Sequence, residues 1–361
     1  MRYKDKFEIS IIIPFYNSKK FIYKNLKSLK EQKTNVKFEI LMINDGSNDS
    51  GEDIIKNFKE LYIKKLTKSN NEGPSSARNL GIKKASGKYI FFLDIDDTLE
   101  SSAIEVLYNE IKKNNFDMIA CDKKFIIKKN KRKNVFMYNT NKNFKKIDIK
   151  KLIVNRFKNS FQPVSMFDLT GKLFTKKLLI KNNILFEKKL RYLEDECFMW
   201  NAISKSKKIR YIKKQLYNYY INPNINTALS MAFIKNYNIN NFFVVKKNII
   251  NGLKNLKLSK IYLKKYSNHA LIFFIISALI SICKSILLKK VKKKEGTIIL
   301  NKLIKNIFKE KKILKDIDKY KCSRDENKNI PRSLEIKDAK VLKKHLFTRT
   351  KEILSSRNIP T

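Results

Sequence analysis

YIFFLDIDD, Tyr89 to Asp97, decides how this chain folds. Five residues of strand character, Tyr89 to Leu93, run without a break into Asp94, Asp96 and Asp97. Strand interiors disfavour Asp, so the strand ends where the acids begin. Carboxylates this close repel one another unless a cation or hydrogen-bond donors balance them. A hard divalent cation, Mg2+ or Mn2+, takes oxygen ligands and commonly shares them with a phosphate. The competing reading is a helix cap, with Asp96 or Asp97 opening a helix at Leu99-Glu100-Ser101.

Working outward, strand and helix signals alternate. Glu8 to Ile13 is a buried-type strand stopped by Pro14, and Ser18 to Gln32 comes next with Phe21, Ile22, Leu26 and Leu29 at helical spacing behind a Ser18 cap. Phe38 to Ile43 is the second strand and ends in Asn44-Asp45-Gly46-Ser47. A helix around Ile54 to Leu61, a short strand from Ile63 to Thr67 and a helix from Pro74 to about Ala85 lead back to Tyr89. This rhythm predicts an α/β fold: a doubly wound, mostly parallel, Rossmann-like sheet with right-handed crossovers. Ligands of such sheets sit at the carboxyl ends of the strands. Tyr16, Asp45, Asp94 and Asp96 all fall there.

From about Asp117 to Tyr138 two more strands are expected around the basic turn Lys128 to Lys133. Ile147 to Asn222 mixes helices and short strands and carries two polar clusters, Thr170-Gly171-Lys172 and Glu194-Asp195-Glu196. Beyond about Ala228 the chain reads as helical and Lys-rich. Ala270 to Cys283 is apolar apart from Ser277 and Ser281, and a lysine run comes after it at Lys289 to Lys294. It is short for a membrane span, which needs about 20 apolar residues. A buried core helix, a helix in the membrane interface and a true span compete, in that order.

The 361 residues are 43% hydrophobic, enough for a sizeable core, with a net charge of +47. Such an excess points to an anionic partner, although lysines spread this evenly also arise from coding bias alone. Nucleic-acid binding would call for clustered basic residues interleaved with aromatics, or a named motif, and neither is present. Cys121, Cys197, Cys283 and Cys322 lie far apart with no metal-ligand spacing, as buried thiols of a reducing compartment would. Met1 to Lys6 lacks the apolar core of a signal peptide, which favours a cytoplasmic chain.

Taken together, ISIIIPFYNSKKFIYKNLKSLKEQ, FEILMINDGSNDSGEDI, NNEGPSSARNLGIKKASGKYIFFLDIDD and LEDECF resemble the inverting family 2 glycosyltransferases of the GT-A fold. The resemblance is close from Ile9 to Leu107 and looser to Tyr219. It implies a UDP-sugar donor, Mn2+ or Mg2+, and a glycan or lipid-linked acceptor in surface polysaccharide or lipooligosaccharide synthesis. Pro14 and Tyr16 would border the nucleobase, Asp45 bind the uracil, and Arg78 lie near the donor phosphates. Asp94 would face the ribose or sugar, Asp96 ligate the metal, and Asp195 serve as base, with Glu194 and Glu196 its competitors. Asn44 departs from the family, many of whose members carry another Asp there. The Gln-x-x-Arg-Trp motif of processive synthases is missing, and the only tryptophan, Trp200, lies elsewhere.

The resulting expectation is a catalytic domain over 1–225, its nucleotide-binding half about 1–115 and its acceptor half about 116–225. Residues 226–361 form a basic, mainly helical region. It would associate with an anionic membrane surface on the cytoplasmic face of the inner membrane. Lys172 is a candidate for acceptor or phosphate contact, and Asn218 to Asn226 for a segment closing over the donor, with loop packing the preferred reading of both. Two alternatives stand beside the enzyme: a basic nucleic-acid-binding protein, and a catalytically silent GT-A-fold assembly subunit.

Overall fold

The structure is a computed structural model that describes residues 7–127, 131–135, 142–145, 148, 166–190, 193–221, 240–256, 260–288, 291–310, 330 and 338–355. These fall into two compact units, one carrying the described residues up to 148 and from 166 to 221, the other those from 240 onward. The expected boundary at 225 lies outside the described residues.

In the first unit β1 (Ile9–Phe15), β2 (Phe38–Asn44), β3 (Ile63–Thr67) and β4 (Tyr89–Phe92) form a parallel sheet in the order β3-β2-β1-β4. Ile11 stands beside Ile40 on one side and Phe91 on the other. α1 (Lys19–Lys30) and α4 (Ala103–Lys113) bury Ile22, Leu26, Leu29, Ile104, Leu107 and Ile111 in one cluster with Ile9, Ile11, Ile13, Ile40 and Phe91. The opposite face takes α3 (Pro74–Lys84), α5 (Lys176–Lys181) and α6 (Glu194–Lys205), with Phe92 in edge contact with Phe174, Phe186 and Phe198. Cover on both faces is why β1 reads as a nearly unbroken apolar run. Its exception, Ser10, is fully buried and donates to Glu39 at 2.6 Å, while the Ser86 and Gly87 amides complete the network.

α3 lies so close to β1 that a methyl group on Gly81 would come 2.4 Å from Ile12 Cγ2. Gly81→Ala should therefore destabilise this unit by about 1–3 kcal/mol, the usual penalty for overpacking. Thermal melting checks this, and an unchanged midpoint would contradict the close approach.

The rest of the sheet mixes directions. β9 (Lys172–Thr175) runs antiparallel to β4 and to β6 (Met118–Ile127). β10 (Lys208–Ile221) runs parallel to β6, and the short β5 (Thr98–Leu99) runs antiparallel to β10. β7 (Lys131–Val135) and β8 (Lys142–Lys145) pair with β6 and β10. Several local expectations change. β1 runs through Pro14 to Phe15, and the helix expected around Ile54 to Leu61 is the single turn α2 (Glu52–Ile55). Residues Thr98 and Leu99 form a strand, and the helix opens later, at Ala103. Ser18 precedes α1, but its hydroxyl turns back to donate to the Tyr16 carbonyl at 2.9 Å, and Asp49 accepts from the Lys19 amide at 2.7 Å instead.

In the second unit α7 (Asn240–Lys254), α9 (Lys293–Lys309) and α10 (Ala339–Ser355) all pack on α8 (Lys260–Leu287). Leu271, Ile272, Ile275, Leu279, Ile282 and Cys283 of α8 are buried. The apolar run is thus the core helix of a bundle. No helix among the described residues is long and apolar enough to cross a membrane.

Candidate functional site at the carboxyl edge of the sheet

β1, β2 and β4 are parallel neighbours, so the loops leaving their carboxyl ends emerge at one edge. Pro14 is the penultimate residue of β1 and half-buried, and Tyr16 just beyond is 46% exposed. The loops after β1 and β2 are tied together: the Asn17 amide donates to Ser47 Oγ at 2.9 Å and the Asn48 amide to Asn17 Oδ1 at 3.0 Å. Asn17 sits at φ 47, a left-handed conformation that Asn tolerates. Asn44, where the resemblance departs, shapes this turn: its Oδ1 accepts from the Ser47 amide and its Nδ2 donates to Glu52.

Asp45 is buried and well occupied. Its Oδ1 accepts from Lys68 Nζ at 2.9 Å and from the Glu72 amide at 3.2 Å, and its Oδ2 accepts from the Gly73 amide at 2.6 Å. It therefore fastens the loop that enters α3. A carboxylate offers about four acceptor positions, so three of these donors leave room for one more N–H.

One turn into α3, Arg78 joins two parts of the site. Its Nη2 donates to Asp94 Oδ1 at 2.9 Å and its Nη1 to Glu194 Oε1 at 3.2 Å. The guanidinium is buried over the Phe186 ring at 5.3 Å. This bridge sets the acid turn beside the start of α6.

In that turn Asp96 lies at the exposed tip. The surrounding protein still desolvates its carboxyl, and with the neighbouring Asp94 pushes it up to about 6. Asp97 points the other way. It is 2% exposed and accepts from the Tyr217 hydroxyl at 2.7 Å and the Tyr220 amide at 2.9 Å. Burial first, then Asp96 and Asp94, raise it well above the ordinary carboxylate range. The turn is closed from α1 by Asn25, whose Nδ2 donates to the Asp94 and Asp97 carbonyls.

At α6 the three acids of the first turn have different partners. Glu194 is held by Arg78, and Glu196 accepts from Trp200 Nε1 at 3.1 Å. Asp195 accepts from the Glu196 amide at 2.8 Å. Burial, then Glu194 and Glu196, push Asp195 up to about 7, against the pull of Arg78. A carboxyl near 7 beside an arginine has the character of a general base, whose ideal pKa lies near the working pH.

Lys172 takes the packing reading, not the ligand contact. It is fully buried, and its Nζ donates to Asp168 Oδ1 at 2.8 Å and to the Thr170 carbonyl at 3.0 Å. Lys123 donates to Asp168 Oδ2 at 2.8 Å and Thr170 Oγ1 at 2.7 Å. Burial acts upward on Asp168, but the two ammoniums hold it at about 2. This is an internal strut rather than an acceptor contact. Residues 218–221 of the segment expected to close over the donor are the end of β10, and 222–226 lie outside the described residues. Cys121, Cys197 and Cys283 are buried as expected, and burial pushes the Cys121 and Cys283 thiols up to about 12. Cys322 lies outside the described residues.

Among the described residues no group of three or more His, Cys, Asp or Glu could hold a metal by itself. The acid turn does suit a shared one. Asp96 and the second oxygen of Asp94 are hard ligands with negative charge to share, and burial, then Asp94, lifts Asp96. That negative surplus fits a hard divalent cation completed by phosphate or water.

The profile of glycosyl transferase family 2 matches residues 10–174. Poly(ribitol-phosphate) beta-N-acetylglucosaminyltransferase TarP of Staphylococcus aureus (strain N315) is 31% identical over 267 residues, 73% of this chain and 76% of TarP. The glycosyltransferase EpsJ of Bacillus subtilis (strain 168) is 30% identical over 223 residues, 61% of this chain; the chain spans 63% of EpsJ. The crystal structure of S. aureus TarS 1-349 in complex with UDP-GlcNAc superposes with TM-score 0.64 at 19% identity, covering 98% of this chain and 92% of that one. The chain belongs to glycosyltransferase family 2 and has the GT-A fold.

Proposed function

We propose that this chain is an inverting, metal-dependent glycosyltransferase. It moves a hexosyl or N-acetylhexosaminyl group from a UDP-sugar to a hydroxyl of a glycan or lipid-linked acceptor in surface polysaccharide synthesis. The observation that carries the reading is the Arg78 bridge, which sets Asp94 of the acid turn beside Glu194, next to the near-neutral Asp195. The UDP-GlcNAc complex of TarS and the poly(ribitol-phosphate) acceptor in the name of TarP support a UDP-sugar and a cell-surface polymer. The net charge of +47 has the sign that a phosphate-bearing acceptor needs.

Each residue has a role in direct displacement at the anomeric carbon. Tyr16 stacks on the base and Pro14 borders it. Asp45 accepts the uracil N3–H on its remaining acceptor position. Arg78 lies beside the donor phosphates and fixes Asp94, which takes a ribose or sugar hydroxyl. Asp195 removes the acceptor hydroxyl proton as the new bond forms. A divalent cation held by Asp96 and Asp94 would neutralise charge on the leaving nucleoside diphosphate.

The test is nucleotide release and thermal shift across UDP-, GDP-, CMP- and dTDP-sugars with and without Mn2+, with the product anomer read by NMR. A Mn2+-dependent response to one UDP-sugar and an inverted product are expected. No response to any nucleotide sugar by folded protein would refute the reading. Asp96→Asn should reduce metal-dependent turnover at least ~100-fold, the scale on which a metal's charge stabilisation acts, while the melting temperature holds. Turnover near the original rate would remove Asp96 from the metal site.

We also place the protein at an anionic membrane face. Because α8 is buried in its bundle, the attraction comes from lysine charge rather than insertion, at about 1 kcal/mol per lysine near the surface. Co-sedimentation with phosphatidylglycerol vesicles should therefore fall steeply with salt. Salt-resistant binding, or equal binding to neutral vesicles, would contradict it.

A further inference from the structure

The acid turn is held from two sides by hydrogen bonds from α1 and from the end of β10. Asn25 is fully buried on α1, and its Nδ2 donates to the Asp94 carbonyl at 3.1 Å and the Asp97 carbonyl at 2.9 Å. On the other side is the end of β10. The Tyr217 hydroxyl donates to Asp97 Oδ2 at 2.7 Å and accepts a longer bond from the Asp94 amide at 3.4 Å. The Tyr220 amide donates to Asp97 Oδ1 at 2.9 Å.

Tyr217 reaches this place through irregular backbone. The register of β10 against β6 shifts between Ile212 and Gln215 and again between Gln215 and Tyr217. Bulges of this kind re-aim side chains next to functional sites. The Tyr217 ring is fully buried, 6.3 Å from Phe91, and does not depend on its hydroxyl for packing. The chain leaves the acid turn through β5, which pairs with the same stretch: Leu99 with Tyr217 and Thr98 with Asn218. One strand end therefore fixes both the turn's buried carboxylate and its exit.

Resting on the function proposed above, we infer that Asn25, Asp97 and Tyr217 form a positioning clamp. It presents Asp94 and Asp96 to a divalent cation and the donor diphosphate, with the Tyr217 hydroxyl as its removable pin. Outer partners of metal-binding carboxylates characteristically carry about 10–100-fold in metal affinity.

The test is Tyr217→Phe in the full chain, which deletes one oxygen and keeps the ring. Two readouts are needed. In ligand-free protein, hydrogen exchange at the amides of Ile95 to Thr98 should quicken about tenfold relative to wild type, as for the loss of one hydrogen bond. In a Mn2+ titration with UDP, read by electron paramagnetic resonance, the dissociation constant should rise about 10–100-fold. Asn25→Ser probes the opposite side with the Tyr217–Asp97 contact intact, and should show the same two changes should Tyr217→Phe fold poorly. Unchanged exchange in a folded variant overturns the clamp. Faster exchange with unchanged Mn2+ affinity overturns its positioning role. Wild type that takes up no Mn2+ with UDP refutes the metal reading, and the exchange rates then decide the clamp alone.

Discussion

Asp195→Asn should cut kcat by about 10^2- to 10^4-fold, the range a positioned general base supplies, while leaving donor affinity near that of wild type. Asn matches the shape of Asp and can still accept from the Glu196 amide, so α6 should start unchanged. What disappears is the group that accepts the proton. In the wild type the Asp195 carboxyl is pushed up to about 7, so kcat/KM should rise with pH through that value and level off above it. The same shift has a stability consequence of opposite sense. A carboxyl raised from its ordinary 3.8 to about 7 on folding favours the folded state below about 4, and that contribution is lost as pH rises through 7. Asp195→Asn should therefore gain on wild type as pH rises from about 4 to 7, melting above it at pH 8 by roughly 2–4 °C for each kcal/mol, and close to it only below about pH 4. A variant that keeps wild-type kcat, or melts lower at pH 8, would place the base elsewhere among Glu194 to Glu196.

Arg78→Ala should be the most damaging change to the site. It removes one fork that holds two carboxylates on different elements, Asp94 after β4 and Glu194 at the start of α6. Removing one partner of a buried ion pair typically costs about 3–5 kcal/mol. The Asp94 side chain is 31% exposed, so the lower end, about 3 kcal/mol, is expected. Activity should fall by a further ~10^2- to 10^3-fold, as when one preorganised donor is lost. Arg78 also lowers the Asp195 pKa, so any residual activity should titrate above 7. Arg78→Lys keeps the charge but not the two-pronged geometry, and should recover stability more than rate. Melting curves and kcat/KM profiles for both variants separate these effects. Equal loss from Lys and Ala would mean that shape alone matters here, and no loss from either would remove the bridge from the mechanism.

The strands up to Tyr89 and the helices α1 and α3 are legible in the sequence because each is specified locally, whereas Phe58 and Leu61 continue an apolar spacing without continuing a helix. Continuous apolar runs such as Ile9 to Ile13 mark strands covered on both faces, and Ile22, Leu26 and Leu29 mark one helical stripe. The acid turn is legible because three acids cannot continue a strand. The rest depends on partners far along the chain. Nothing beside Asp97 announces a tyrosine 120 positions away, and the slipped register of β10 leaves no trace in its periodicity. Lys172 offers loop packing or an acceptor contact in the sequence, and nothing local to it decides between them. Its burial depends on Asp168 and Lys123, which meet it only once β6 and β9 pair. Asp45 is recognisable as a site residue, but its service to the Lys68 to Gly73 loop is not, because three donors from one later loop form no motif. Asn25 looks like one more polar residue on a lysine-rich helix, and only its complete burial distinguishes it.

The reach of Arg78 bears on how such enzymes are recombined. Its two carboxylate partners lie 16 and 116 positions further along the chain. A segment over 1–115 and one over 116–221 taken from different relatives would share one sheet, and this guanidinium is one of the joints between them, beside the Asn79–Phe186 and Tyr217–Asp97 contacts. A chimera that keeps Arg78 but receives a neutral residue at the Glu194 position would inherit both substrates' contact surfaces with a loosened joint between them. Grafting one segment onto the other should therefore cost least when residues 78, 94 and 194 travel as a set.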